Sequence, residues 1–196
     1  MNQHSSSSPV GLDYYPNLID DDLSNRLTDF LQSEQFNKEL FPVTKLRTGE
    51  ISPKSRMVAQ YGYRYDYTSG STNQKTTPIP QLLLELRNLI KVDDSIDFDQ
   101  CIINRYLPGQ GIGGHFDRLT YGPVIACFTL GSGAEMEFIN EGESYKLYTE
   151  ANLLYIMSCE ARYKWLHLMR SRKSDPGHGK RGIRWSITYR SVTSKS

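Results

Sequence analysis

The sequence predicts an α+β chain in which two N-terminal helices pack on an antiparallel double sheet of jelly-roll type. Three observations predict it. Two segments before residue 92 carry leucines at helical spacing. From residue 98 onward, short β-branched and aromatic runs alternate with Gly, Pro, Asn and Ser. That is the pattern of a sandwich or barrel rather than of a parallel sheet with crossover helices. The 196 residues, 38% of them apolar, suffice for one buried core, and no internal repeat divides them.

Taken in order, "MNQHSSSSPV" is Ser-rich, with neither an apolar stretch nor an Arg-rich amphipathic face. Residues 1–10 are therefore expected to be a disordered tail rather than a targeting signal, ahead of a single domain over 11–196. "DDDLSNRLTDFLQSEQF" opens on Asp20 to Asp22, good N-cap and first-turn residues, and sets Leu23, Leu27, Phe30 and Leu31 at helical spacing. "QYGYRYDYTS" reads as extended. A second helix is expected from Pro80, a favoured first-turn residue, through Leu83, Leu86, Leu89 and Ile90 until "KVDDS" stops it. Strands are expected in "FDQCIINRYLP", "HFDR", "PVIACFTLG", "AEMEFIN", "SYKLYTE", "NLLYIMS", "RYKWLHLM" and "RGIRWSITYRSV". In the last of these, Trp185, Ile187 and Tyr189 alternate with Arg184, Ser186, Thr188 and Arg190. The apolar set is expected to back onto the helices, which puts both arginines together on the opposite face.

Composition narrows the function classes. A net charge of +1 gives no global attraction to nucleic acid or to an anionic surface, so only local clustering can signal either. Cys101, Cys127 and Cys159 are too few and too scattered for a disulfide framework or a CxxC zinc pattern. They read as small buried hydrophobes in a reducing compartment. No apolar run approaches the roughly 20 residues that span a bilayer. The expectation is a monomer of the cytoplasm or nucleus with no membrane partner.

The stretch "NRYLPGQGIGGHFDR" carries the chemistry. In extended backbone residues i and i+2 share a face, so Asn104 pairs with Tyr106 and His115 with Asp117. His115, Asp117 and a second histidine can form the facial triad of two imidazoles and one carboxylate that holds Fe(II) and leaves positions open for a co-substrate and dioxygen. Of the remaining histidines, His4 lies in the tail and His178 in the Pro/Gly loop "DPGHGK". His167 lies in a strand, which pre-organises a ligand better than a mobile loop, and is the choice. Iron needs an electron donor. A dicarboxylate such as 2-oxoglutarate chelates the metal at one end and needs a fixed cation at the other, for which arginine has the matching bidentate geometry. Arg184 or Arg190 can supply it, with Asn104 and Tyr106 adding hydrogen bonds.

With its distal His167 and "RWSITYR", this stretch resembles the AlkB family of Fe(II)/2-oxoglutarate dioxygenases, with their Asn-x-Tyr, His-x-Asp…His and Arg-x5-Arg motifs. Within the family, "YLPGQGIGGHFD", "TLGSGAEMEF", "CEARYKWLH" and "KRGIRWSITYR" are most similar to the oxygenase domain that hydroxylates a wobble uridine in tRNA. The resemblance implies a double-stranded β-helix core, Fe(II), 2-oxoglutarate and O2. It implies that His115, Asp117 and His167 bind the iron, that Asn104, Tyr106 and Arg184 bind 2-oxoglutarate, and that Arg190 acts beside the metal-bound end. It also implies hydroxylation or demethylation of a modified nucleic-acid base, RNA being favoured over DNA. The alternatives are the same chemistry on a protein or small molecule, and repair of alkylated DNA bases. DNA-repair members carry an acidic residue two positions after the metal Asp, where this chain has Leu119. The RNA-recognition, methyltransferase and Cys-rich zinc parts of the tRNA-type homologue are not expected within these 196 residues.

Two segments are expected to face the substrate. "MRSRKSDPGHGKRGIR" sets Arg170, Arg172, Lys173, Lys180 and Arg181 against the single Asp175, five cations of a flexible loop suited to phosphates. "YGYRYDY" places Tyr61, Tyr63, Tyr65 and Tyr67 on one face, of which Tyr61 and Tyr63, with Arg64, are the candidates for base contact.

Overall fold

The computed structural model describes residues 7–43, 48, 50–52, 55–67, 69–72 and 74–193. The chain runs β1 (Leu12–Tyr15), α1 (Asp21–Gln32), α2 (Glu34–Glu39), β2 (Phe41–Pro42), β3 (Met57–Tyr61), β4 (Tyr63–Arg64), β5 (Gln74–Lys75) and α3 (Gln81–Arg87). It continues through β6 (Gln100–Tyr106), β7 (Ile112–His115), β8 (Tyr121–Gly131), β9 (Ala134–Asn140), β10 (Glu143–Thr149), β11 (Leu154–Met157), α4 (Cys159–Tyr163), β12 (Leu166–Met169), β13 (Ser174–Asp175), β14 (Gly179–Lys180) and β15 (Arg184–Val192). Residues 1–6 of the expected tail lie outside the described residues. Pro9 is buried and the Val10 carbonyl accepts the Ala161 N–H at 2.9 Å, so the residues just before Gly11 pack on the fold.

The strands form a seven-stranded sheet, ordered β1-β11-β8-β15-β6-β3-β2, and a four-stranded sheet, β10-β9-β12-β7. Every pairing within them is antiparallel. This is the jelly-roll core expected from the many short strands.

Period-2 alternation divides the larger sheet into two faces. Trp185, Ile187 and Tyr189 of β15 join Leu23, Leu27 and Leu31 of α1 and Leu83 and Leu86 of α3 in one core. The helices therefore cover the outer face of that sheet, as the sequence predicts. Full burial of each such leucine contributes about 1.5–3 kcal/mol. The Tyr189 hydroxyl donates to the Leu83 carbonyl at 2.6 Å, which satisfies the phenol inside this layer. A second core lies between the sheets, where Ile125, Tyr106 and Val192 meet Met136, Phe138 and Met169.

Asp20 caps α1 by accepting the Leu23 N–H at 2.9 Å. The helix stops at Gln32 instead of continuing to Phe36, because Ser33 turns to extended backbone and its hydroxyl accepts the Phe36 N–H, starting α2. Within "RYKWLHLM" only Leu166–Met169 is a strand; Arg162 and Tyr163 belong to α4, and Lys164 and Trp165 connect the two. Cys101 and Cys127 are buried as expected, but Cys159 is exposed at the start of α4 with φ 45°. No helix among the described residues is long and apolar enough to cross a membrane.

The basic segment after β12 corrects the expected loop of free cations. β13 and β14 form a hairpin pinned by Asp175, whose carboxylate accepts two bonds from Arg181 (2.6 and 2.7 Å) and one from Arg172 (2.9 Å). Arg172 also bonds Glu135, and Arg170 bonds Glu137. The acids that neutralise these arginines come from β9, some 35 residues away in sequence and adjacent only in the sheet. Asp175→Asn is expected to cost about 3–5 kcal/mol, because it leaves the buried Arg181 guanidinium without its counter-charge. Urea unfolding measures this, and an unchanged midpoint would mean that the hairpin is not held by this pair.

Candidate active site

β15 pairs with β6 so that Arg184 lies opposite Tyr106 and Ser186 opposite Asn104. Alternation then sends Asn104, Tyr106, Arg184, Thr188 and Arg190 to the face away from the helices, where they line an inner cavity of about 50 Å³. On the facing sheet, β12 and β7 bring His167 opposite His115. Their ring centroids are 4.3 Å apart. Asp117 lies two residues beyond the end of β7, with Oδ2 3.8 Å from His167 Nε2. All three side chains line the same inner cavity.

The electrostatics suit a metal better than an ion pair. Burial pushes the His167 imidazole down to about 3, against the opposing pull of Asp117, so it is neutral at physiological pH and keeps a lone pair. Burial also lowers His115; its Nδ1 lies 2.9 Å from the Gly113 carbonyl, which assigns the proton to Nδ1 and leaves Nε2 an acceptor. Burial alone would raise Asp117. The Arg190 guanidinium, the two imidazoles once protonated in the acid range, and Arg162 outweigh it and hold the carboxyl down to about 2. Asp117 Oδ1 receives Arg190 Nη2 at 2.6 Å, whereas Oδ2 is buried without a hydrogen-bond partner. Two neutral imidazoles around an orphaned carboxylate oxygen fit a divalent metal of the Fe(II) class. They stand near one another rather than closed: among the described residues no three such side chains are at the spacing of an assembled metal centre.

Deeper in the cavity, Arg184 is 3% exposed. Its described partner is the Thr149 carbonyl, a long 3.3 Å from Nη1, and its Nε is buried without one. It pairs with no carboxylate among the described residues. A buried guanidinium in that condition is costly unless an anion joins it, so the cavity floor fits the distal carboxylate of a dicarboxylic acid. Burial raises the Tyr106 phenol, which keeps it a neutral O–H donor. Arg190 bonds Asp117 and stacks over Tyr121 at 4.9 Å.

An outer cleft of about 480 Å³ meets the inner cavity at Asn104, His115, Asp117 and Arg190. Arg56, Tyr65, Tyr67, Phe116 and Arg118 line its mouth. Here the tyrosine reading is corrected. Gly62 has φ +78°, a conformation open to glycine, and a Cβ there would meet the Asp99 carbonyl. The turn breaks the alternation. Tyr61 enters the helix-side core and donates to Glu39 at 2.6 Å, Tyr63 enters the core between the sheets, and neither lines the cleft. Arg64 is exposed, outside the cleft lining. Lys173 and Lys180 are exposed and pair with no carboxylate among the described residues, unlike Arg170, Arg172 and Arg181.

Sequence reasoning missed Arg56 and Arg162. Arg56 Nε donates to Asn104 Oδ1 at 2.7 Å. Because a guanidinium has no acceptor, that bond fixes the amide oxygen outward and leaves Nδ2 for the cavity. Its only sequence signal is being an arginine directly before a strand. Arg162 is buried in α4 beneath Asp117 and lies inside "CEARYKWLH" without any cue to its contacts.

The chain is similar to several known proteins. Residues 11–190 match the 2OG-Fe(II) oxygenase superfamily. An uncharacterized protein of Acanthamoeba polyphaga mimivirus is 43% identical over 123 residues, 58% of this chain and 59% of that protein. The Mus musculus tRNA (carboxymethyluridine(34)-5-O)-methyltransferase ALKBH8 is 34% identical over 169 residues, 72% of this chain and 25% of that protein. The chain thus spans under two thirds of either relative's length. The structure of OsALKBH1 is similar with a TM-score of 0.66 and 17% identity, over 94% of this chain and 98% of that one. A Pseudomonas putida prolyl-4-hydroxylase has a TM-score of 0.57 at 16% identity, over 92% and 93%. The chain belongs to the 2OG-Fe(II) oxygenase superfamily, oxidoreductases that use Fe(II), 2-oxoglutarate and O2, and has AlkB-type relatives.

Proposed function

We propose that this chain, as one catalytic domain from about residue 11, oxidises a modified base in nucleic acid, with RNA preferred to DNA. His115, Asp117 and His167 would hold Fe(II). Arg184, Asn104 and Tyr106 would hold 2-oxoglutarate, and Arg190 would keep Asp117 ionised. Bound Fe(II) supplies the centre at which O2 is activated. With 2-oxoglutarate bound, that chemistry would place one oxygen atom in a substrate C–H bond and the other in succinate, with release of CO2. On an N-methyl carbon the resulting carbinol loses formaldehyde, which is demethylation; on a carbon not bonded to nitrogen the alcohol stays.

The observation that carries the nucleic-acid reading is the outer cleft, where aromatic rings and guanidinium groups surround the entrance to the triad. Tyr65, Tyr67 and Phe116 offer faces for a base, each stack being worth about 1–3 kcal/mol. Arg64, Lys173 and Lys180 are exposed cations for a phosphate chain. The preference for RNA rests on the tRNA-modifying relative and on Leu119, 80% exposed where repair-type relatives carry an acid.

The test is binding of tRNA and of a DNA duplex across a salt series. Three phosphate contacts on single-stranded RNA predict a slope of about −2 in log K against log salt. Nucleoside mass spectrometry of the bound RNA before and after turnover then names the base. Absent or salt-independent binding would move the substrate to a protein or small molecule.

A further inference from the structure

We infer that Arg162 is a positioning residue that holds Asp117 for the metal, resting on the reading of His115, Asp117 and His167 as its ligands. The sheet places only two of those three. His115 and His167 face each other across the β7–β12 ladder, so backbone bonds fix both. β7 ends at His115, and Asp117 lies outside any ladder. Its backbone needs another partner, and one side chain supplies it. Arg162 Nη1 donates to the Asp117 carbonyl at 2.8 Å, and Nη2 to the Arg118 carbonyl at 2.6 Å.

Arg162 is 2% exposed and pairs with no carboxylate among the described residues; its guanidinium meets these two carbonyl dipoles and the Tyr163 ring, whose centroid is 4.9 Å from Cζ. A guanidinium suits the task because its planar fork spans two adjacent acceptors at once, which an ammonium cannot do with the same geometry. The origin of the clamp also matters. Arg162 belongs to α4, whose last residue, Tyr163, is four residues before His167. The Val10 carbonyl holds the Ala161 N–H of the same helix. One helix therefore carries the clamp for one ligand and leads directly into the strand that carries another. The carboxylate itself is held separately, by Arg190 on Oδ1, leaving Oδ2 without a hydrogen-bond partner.

The test measures metal affinity directly, by Co(II) titration followed in the visible spectrum and by calorimetry with Mn(II), on the full chain. Arg162→Lys keeps the charge and loses the fork; Arg162→Met removes the buried charge without adding bulk. Both are expected to weaken metal binding by about 10- to 100-fold, the usual effect of removing a group that orients a ligand. The Co(II) bands of the loaded variants should also shift. Folded variants with parental metal affinity and spectrum would overturn the inference. Failure of both to fold would assign Arg162 to the scaffold alone and overturn it equally. If the parent chain takes up no Co(II), the ligand assignment fails instead.

Discussion

Asp117→Asn is expected to abolish 2-oxoglutarate turnover, by about a thousandfold or more, equivalent to about 4 kcal/mol at the transition state, while the chain stays folded. The reason lies in which atom faces which partner. Arg190 can only donate, so it requires an oxygen at the position of Oδ1, 2.6 Å away. In the variant the amide oxygen must take that place, which puts the NH2 group where the unpartnered Oδ2 now stands. A lone pair at the metal position is replaced by two N–H donors, 3.8 Å from the His167 Nε2 that should share the ion. The structural cost is that of leaving the Arg190 guanidinium without its counter-charge, up to about 3–5 kcal/mol as for Asp175. Succinate production and thermal unfolding, measured on parent and variant side by side, separate the two effects. Turnover within tenfold of the parent would remove Asp117 from the metal site.

That expectation could be framed from the sequence because strand alternation is strict where a strand is regular. β15 keeps period 2 from Arg184 to Arg190, so two arginines facing inward and three apolar residues facing the helices follow from spacing alone. Asn104 and Tyr106 follow in the same way. The His115–Asp117 pair was legible for a partly wrong reason: Asp117 lies past the strand end, and an arginine 45 residues away fixes its backbone. The shared face expected of the four tyrosines failed where one glycine entered the left-handed region and turned the chain, leaving Tyr65 and Tyr67 rather than Tyr61 and Tyr63 at the cleft. The basic segment failed because charge counted along the chain omits Glu135 and Glu137, which become neighbours only when β9 pairs with β12. Side chains whose partners are set by sheet order leave no local trace.

Arg184 gives the second large effect, and its sign on stability is the informative part. The guanidinium is buried, holds one long bond to a carbonyl, and has an Nε with no partner, so the fold carries it at a cost. Replacing it by an apolar side chain of similar length should relieve that cost. Arg184→Met is therefore expected to stabilise the chain without co-substrate by about 1–4 kcal/mol, the range found when buried charges give way to hydrophobic residues. The same change should raise the 2-oxoglutarate KM more than a hundredfold, since two charge-assisted bonds of about 1.5–3 kcal/mol each are lost. Arg184→Lys keeps the charge but only one such bond, so its KM should rise by roughly tenfold or more. A site built to receive an anion trades stability for affinity, and Arg184→Met should raise the one while lowering the other. Steady-state kinetics over a 2-oxoglutarate series and denaturant midpoints measure both. A destabilised Arg184→Met variant with an unchanged KM would make Arg184 a packing residue and transfer the anchor to Arg190.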